Sequence, residues 1–235
     1  MSADAWTAWA RGPLFWTALA FMILGLARHL GLTLWQAYRV RRAAGDPRIA
    51  VGQVARATAG WLLPVRRLGN RWPYSLTTLA FHAGVILVPL FLAGHVELWR
   101  RATGLSWPAL PNAVATALTV TVLAGALAIV AQRALSRVTR SLGRVQDYAL
   151  PLVIAIPFAS GLLVMHPAWN PFGAGATLLV HVLAGDLVLV LVPLTKLSHM
   201  VLLPLTQLVS ELAWRFPADA GARVAVALGK ENEPI

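Results

Sequence analysis

The chain has 235 residues, 58% of them hydrophobic and only 12% charged, and its 20 Lys and Arg against 9 Asp and Glu give a net charge of +11. Soluble domains carry about 25% charged residues, so this depletion excludes an ordinary soluble fold. The basic residues sit in loops between apolar runs, which makes them a topology signal and not a nucleic-acid surface. The absence of cysteine excludes disulfides, an iron–sulfur cluster held by this chain, and thioether attachment of a cofactor.

In chain order, the N-terminus "MSADAWTAWARGPLFW" lacks a basic region followed by a short apolar stretch and a small-residue cleavage site. The first apolar span, residues 14–37, is therefore expected to be retained. It carries Arg28 and His29 towards its later half. Residues 38–75 form a basic loop with Arg39, Arg41, Arg42, Arg48, Arg56, Arg66, Arg67 and Arg71 against Asp46. Within it, residues 43–63 read as an amphipathic helix at the inner membrane surface, with a plain loop as the alternative. The second span covers residues 76–99 and contains "FHAGVILVPLFLAGH". The third covers 113–130 and is followed by Arg133, Arg137, Arg140 and Arg144 against Asp147. The fourth covers 148–165, and an uncharged link, "HPAWNPFGAGA", leads to the fifth at 177–203. Residues 204–235 form a tail expected in the cytoplasm, polar after Arg215.

These runs predict an all-α polytopic membrane protein, a bundle of five transmembrane helices in a single membrane domain. The two arginine-rich loops belong on the cytoplasmic side, which puts the N-terminus outside and the C-terminus inside. Trp6, Trp9, Trp16, Trp99, Trp107 and Trp169 then fall near the outer boundary, where amphipathic rings settle among lipid headgroups.

Six histidines occur, at positions 29, 82, 95, 166, 181 and 199. The topology puts His82 and His199 near the inner ends of spans two and five, and His95 and His181 near their outer ends. His181 and His199 are 18 residues apart, so on a continuous helix they share an azimuth about 27 Å apart along the axis. The 13 residues between His82 and His95 leave a phase offset of about 140° on a straight helix. Pro89 lies between them and is positioned to change that phase. Two imidazoles meeting across a helix pair supply the axial nitrogens of a low-spin haem, and helix bundles hold cofactors in this way. Gly84, Gly94 and Gly185 offer room for the porphyrin plate. Without cysteine, such haems are of the non-covalent b type. A metal-ion or proton transporter also places ionisable residues within the membrane, and a passive membrane anchor needs none of these histidines.

The stretch "HVLAGDLVLVLVPLTKLSHMVLLP", from His181 to Pro204, resembles the last helix of the gamma subunit of respiratory nitrate reductase and its relatives. Those relatives include membrane cytochromes associated with dissimilatory sulfite reductase and with heterodisulfide-reductase-like complexes. The shared elements are two histidines 18 apart, a glycine four after the first, and a basic residue three before the second. "FHAG…GH" resembles the family's second helix and "DYALPLVIAIPFASGLL" its fourth. The interval between His82 and His95 is longer than in nitrate reductase gamma subunits, which points towards the other branches.

The resemblance implies a di-haem cytochrome b of the bacterial cytoplasmic (inner) membrane, the electron-transfer subunit of a membrane-bound oxidoreductase complex. Its two haems b are ligated by His82 with His199 and by His95 with His181. It exchanges electrons between quinone and a cytoplasmic iron–sulfur subunit with its catalytic subunit. On that expectation Asp186 and His166 are candidates for quinone or proton chemistry, and Lys196 and Arg100 for haem propionates. Arg28 and His29 are further candidates for a propionate or a partner subunit.

Overall fold

The computed structural model describes residues 3–44, 51–62, 72–214 and 219–232. Every regular element among them is helical. Five helical stretches are long and apolar enough to cross a membrane: Asp4–Arg39, Trp72–Phe91, Asn112–Leu135, Val145–Met165 and Ala174–Leu194. The protein is therefore a multi-pass membrane protein, as its hydropathy requires. It divides into two compact units, one of residues 1–20 and 68–191 and the other of residues 21–67 and 192–235.

In the first unit, α1 (Ala3–Trp9) passes through a π-helical turn at Ala10–Leu14 into the start of α2 (Phe15–Ala44). Pro13 lies within that turn, and its carbonyl accepts the Thr17 hydroxyl at 2.8 Å. Trp16 meets Trp99 edge to face at 5.7 Å. The rest of α2 belongs to the second unit, where α3 (Val51–Leu62) packs against a later helix. Val54 and Thr58, one turn apart, are buried while Arg56 is exposed. Of the expected amphipathic stretch 43–63, α3 is the part so patterned, and residues 45–50 and 63 lie outside the described residues. Asp46, Arg48, Arg66, Arg67 and Arg71 of the basic loop lie outside the described residues.

Within the first unit, α4 (Trp72–Phe91) packs on α6 (Asn112–Leu135), and α6 packs on α8 (Val145–Met165). The α4–α6 contact interlocks through small residues. Gly84 of α4 lies against Val122 and 3.0 Å from the Leu118 carbonyl as measured from a would-be Cβ, and Gly125 of α6 lies against Phe81. Lipid tails are as apolar as leucine, so close packing of this kind is what holds membrane helices together. Replacing Gly84 by valine should overpack the contact and cost about 1–3 kcal/mol, read as a lower unfolding midpoint in detergent.

Two predicted spans end sooner than the hydropathy runs do. The second was expected to reach residue 99, but α4 stops at Phe91, Leu92 is extended (φ −66°, ψ 132°), and α5 (Ala93–Thr103) begins anew. Such a break strands carbonyls that need donors inside a membrane. Each finds one: Pro89 O accepts from the His95 ring at 3.0 Å, Leu90 O from Trp107 Nε1 at 2.8 Å, and Phe91 O from Leu110 N at 2.8 Å. α5 closes on Gly104 in the left-handed region at φ 78°, which glycine adopts without strain.

The connection between α6 and α8 carries a short α7 (Arg137–Leu142), capped by the Ser136 side chain on Thr139 N. Asp147 then caps α8 by accepting from Arg144 N at 2.8 Å, with Arg133 NH1 3.8 Å from its other oxygen. α9 (Ala174–Leu194) ends nine residues before the expected 203. Pro193 lies within its last turn, Thr195 is extended (φ −128°, ψ −175°), and a 3-10 turn at Lys196–Ser198 leads into α10 (His199–Trp214). The expected tail from residue 204 thus opens as helix, and α11 (Ala220–Leu228) follows. In the second unit α10 is the helix against which α3 packs. Because α9 and α10 are separate helices, the five-turn alignment of His181 with His199 does not apply. The break after Phe91 likewise removes the single-helix phase between His82 and His95.

Candidate functional site

His95 and His181 come together in the first unit. His95 stands in the first turn of α5, immediately past the Leu92 break, and His181 stands in the second turn of α9. Their ring centroids are 6.0 Å apart and their planes 9° apart. That is wider than a face-to-face contact such as His166 on Trp169, at 4.3 Å. Each ring is anchored through Nδ1: His95 donates to Pro89 O at 3.0 Å, and His181 to Pro157 O at 2.8 Å. A carbonyl only accepts, so Nδ1 carries the proton in both rings and Nε2 is the nitrogen with a lone pair to offer a metal.

The separation has chemical meaning. Metal–imidazole bonds run about 2.0 Å and a ring centre lies about 1.1 Å behind its nitrogen, so opposed imidazoles on one metal put their centroids about 6.2 Å apart. The observed 6.0 Å is close to that length. Among the described residues there is no cluster of three or more His, Cys, Asp or Glu able to hold a bare ion.

Helix α8 makes room for this ring pair. A Cβ on Gly161 would lie 2.9 Å from His181 Cε1 and 3.1 Å from its Nδ1. Gly161 is one turn beyond Pro157, so the glycine clears the ring's path to the Pro157 carbonyl. Sequence reasoning missed this residue. Its signal was the small-residue run "ASG" in span four, shortly after a proline.

His82 and His199 share the same anchoring pattern, each within its own unit. His82 donates from Nδ1 to Thr78 O at 2.7 Å, and His199 from Nδ1 to Lys196 O at 2.8 Å. The other two histidines differ: His29 engages Pro193 O through Nε2 at 2.9 Å, and His166 engages Thr116 Oγ1 through Nε2 at 3.0 Å. The four histidines paired as ligands in the sequence are thus the four that use Nδ1 for a backbone carbonyl.

The remaining candidates divide. A Cβ at Gly94 or Gly185 would meet nothing within 4 Å, whereas the space at Gly84 is filled by α6. Asp186 is 4% exposed, and its Oδ2 is buried with no hydrogen-bond partner. A carboxyl so placed is costly unless it takes a proton or a ligand. Arg100 is engaged by Glu97, at 2.6 and 2.7 Å, and Arg101 reaches the same carboxylate at 2.7 Å. Hydrogen bonds from Arg100 and then Arg101 hold the Glu97 carboxyl down at about 2. Arg100 therefore meets a neighbour in its own helix first, a pairing legible from its spacing of three. Lys196 opens the 3-10 turn and lends its carbonyl to His199. His166 ends α8, held between Thr116 and Trp169.

No family model matches the chain, and no solved structure matches it. A protein of Nitratidesulfovibrio vulgaris strain Hildenborough is 33% identical over 208 residues, covering 83% of this chain and 87% of the relative.

Proposed function

The chain and this Nitratidesulfovibrio vulgaris protein belong to one family, and we propose that the chain is a di-haem b-type cytochrome of the bacterial inner membrane. In this reading it is the electron-transfer subunit of an oxidoreductase complex, linking the quinone pool to a cytoplasmic iron–sulfur subunit and its catalytic partner. One observation carries it: parallel His95 and His181 rings 6.0 Å apart, each with Nδ1 tied to a carbonyl. Ligating imidazoles are characteristically oriented by a hydrogen bond on the other ring nitrogen, which fixes the tautomer and raises ligand basicity. The resemblance of "HVLAGDLVLVLVPLTKLSHMVLLP" to the nitrate reductase gamma-subunit family supports the same assignment.

In this reading His95 and His181 would hold the haem of the outer half, and His82 and His199 are the ligands the sequence pairs for the inner one. A bound haem supplies one-electron chemistry. Quinol meets the protein at the outer end, where Asp186 has an oxygen open to a proton and His166 stands at the end of α8. The arginines of residues 133–144 and of the first loop orient the bundle with its basic side towards the cytoplasm.

The test is a haem count on the purified chain by pyridine haemochrome, followed by quinol reduction in liposomes. Two haems b per chain, reducible by quinol, are expected. A pigment-free chain that moves protons or metal ions across the liposome would overturn the reading.

A further inference from the structure

The second unit contains an arrangement at the α9 break that gives His29 a role. An uninterrupted helix would pair the Pro193 carbonyl with the amide of Leu197. That amide instead bonds the Thr195 hydroxyl, at 3.3 Å, because Thr195 is extended and caps the 3-10 turn. The Pro193 carbonyl is left to find a donor in an apolar helix, where an unpaired carbonyl is costly. His29 of α2 supplies it through Nε2 at 2.9 Å. One turn earlier on α2, Gly25 receives the Pro193 ring, and a Cβ there would lie 2.9 Å from Pro193 Cγ and closer still to Cβ. Gly25 and His29 thus form a socket, one giving space for the proline ring and the other a proton for its carbonyl.

The turn beyond this socket is short and tightly bonded. Ser198 N and Ser198 Oγ both bond Thr195 O, at 3.1 and 2.8 Å, and His199 Nδ1 bonds Lys196 O at 2.8 Å. The orientation of His199 is therefore fixed by the 3-10 turn, and the turn begins where His29 and Gly25 grip Pro193.

We infer that His29 is a positioning residue: its Nε2–H bond to the Pro193 carbonyl holds open the α9–α10 break and thereby sets the His199 imidazole for its ligand role. The His199 part of this inference rests on the proposed di-haem function, while the latch itself does not.

Two readouts on the full chain in detergent separate the two. The first is amide hydrogen exchange over residues 193–200, which needs no haem. His29→Ala should speed exchange there by about tenfold, the factor one hydrogen bond carries. His29→Gln, whose side-chain nitrogen stands where Nε2 stood, should restore protection. The second is the low-spin ferric signal that His199→Ala removes, which His29→Ala should shift or broaden and His29→Gln should return towards wild type. Unchanged exchange in His29→Ala, or a Gln variant as damaged as the Ala variant, would overturn the latch. Altered exchange with an unaltered His199-dependent signal would overturn the positioning role. A wild-type chain without haem would end the di-haem reading and leave the exchange result to decide the latch.

Discussion

If His95 and His181 together hold one of the two proposed haems, His181→Ala should leave a folded chain that binds about half the haem of wild type. His95→Ala should give the same result, and the double substitution should be no worse than either single one. Residues that act as one unit are non-additive in this way. The folds of the variants should persist, since neither ring is fully buried and the α4–α6–α8 packing does not use them. Haem per chain by pyridine haemochrome, alongside the helical circular dichroism signal, reads both quantities. Additive losses, with the double variant retaining the inner haem at a fraction of either single one, would mean that His95 and His181 serve different centres.

Gly161→Val touches no ligand directly bonded to it in sequence and is nevertheless expected to lower haem affinity at the same site about 10- to 100-fold, the usual cost of losing an outer-shell partner of a metal ligand. A side chain at position 161 would displace the His181 ring, since even a bare Cβ lies 2.9 Å from Cε1. It would thereby break the Nδ1–H bond to Pro157 O. Gly161→Ala should show the same loss at smaller amplitude, with the ring yielding slightly. Haem titration of the apo chain measures both. A valine variant of wild-type affinity would show that the Pro157 anchor does not orient the ligand.

The five spans were legible because a bilayer imposes a length of apolar sequence that nothing else in a protein requires. The breaks at Leu92 and Thr195 were not. Pro89 and Pro193 announce irregularity, but where a helix stops depends on which distant donors take the stranded carbonyls. Trp107 Nε1 and Leu110 N do this for the first break and His29 for the second. The proposed histidine set rests on depth and topology in the sequence, whereas the carbonyl that anchors each ring is not visible there. His181 and Pro157 are 24 residues apart on different helices. Gly84 shows the opposite difficulty: a glycine in a membrane helix serves equally for cofactor room and for helix approach, and only the neighbouring Val122 reveals which. Arg100 pairs with Glu97 at a spacing of three that is visible in the sequence.

The most direct test of axial ligation by His95 and His181 is the electron paramagnetic resonance spectrum of the oxidised, purified chain. Axial imidazoles with nearly parallel planes, as at 9°, give a ferric low-spin iron unequal in-plane axes and so a rhombic spectrum with resolved g values. Crossed planes give one strongly shifted feature. A rhombic low-spin component is expected, and it should disappear in His95→Ala and in His181→Ala. An iron signal that survives the loss of both histidines, or a chain that takes up no haem at all, would contradict this ligation.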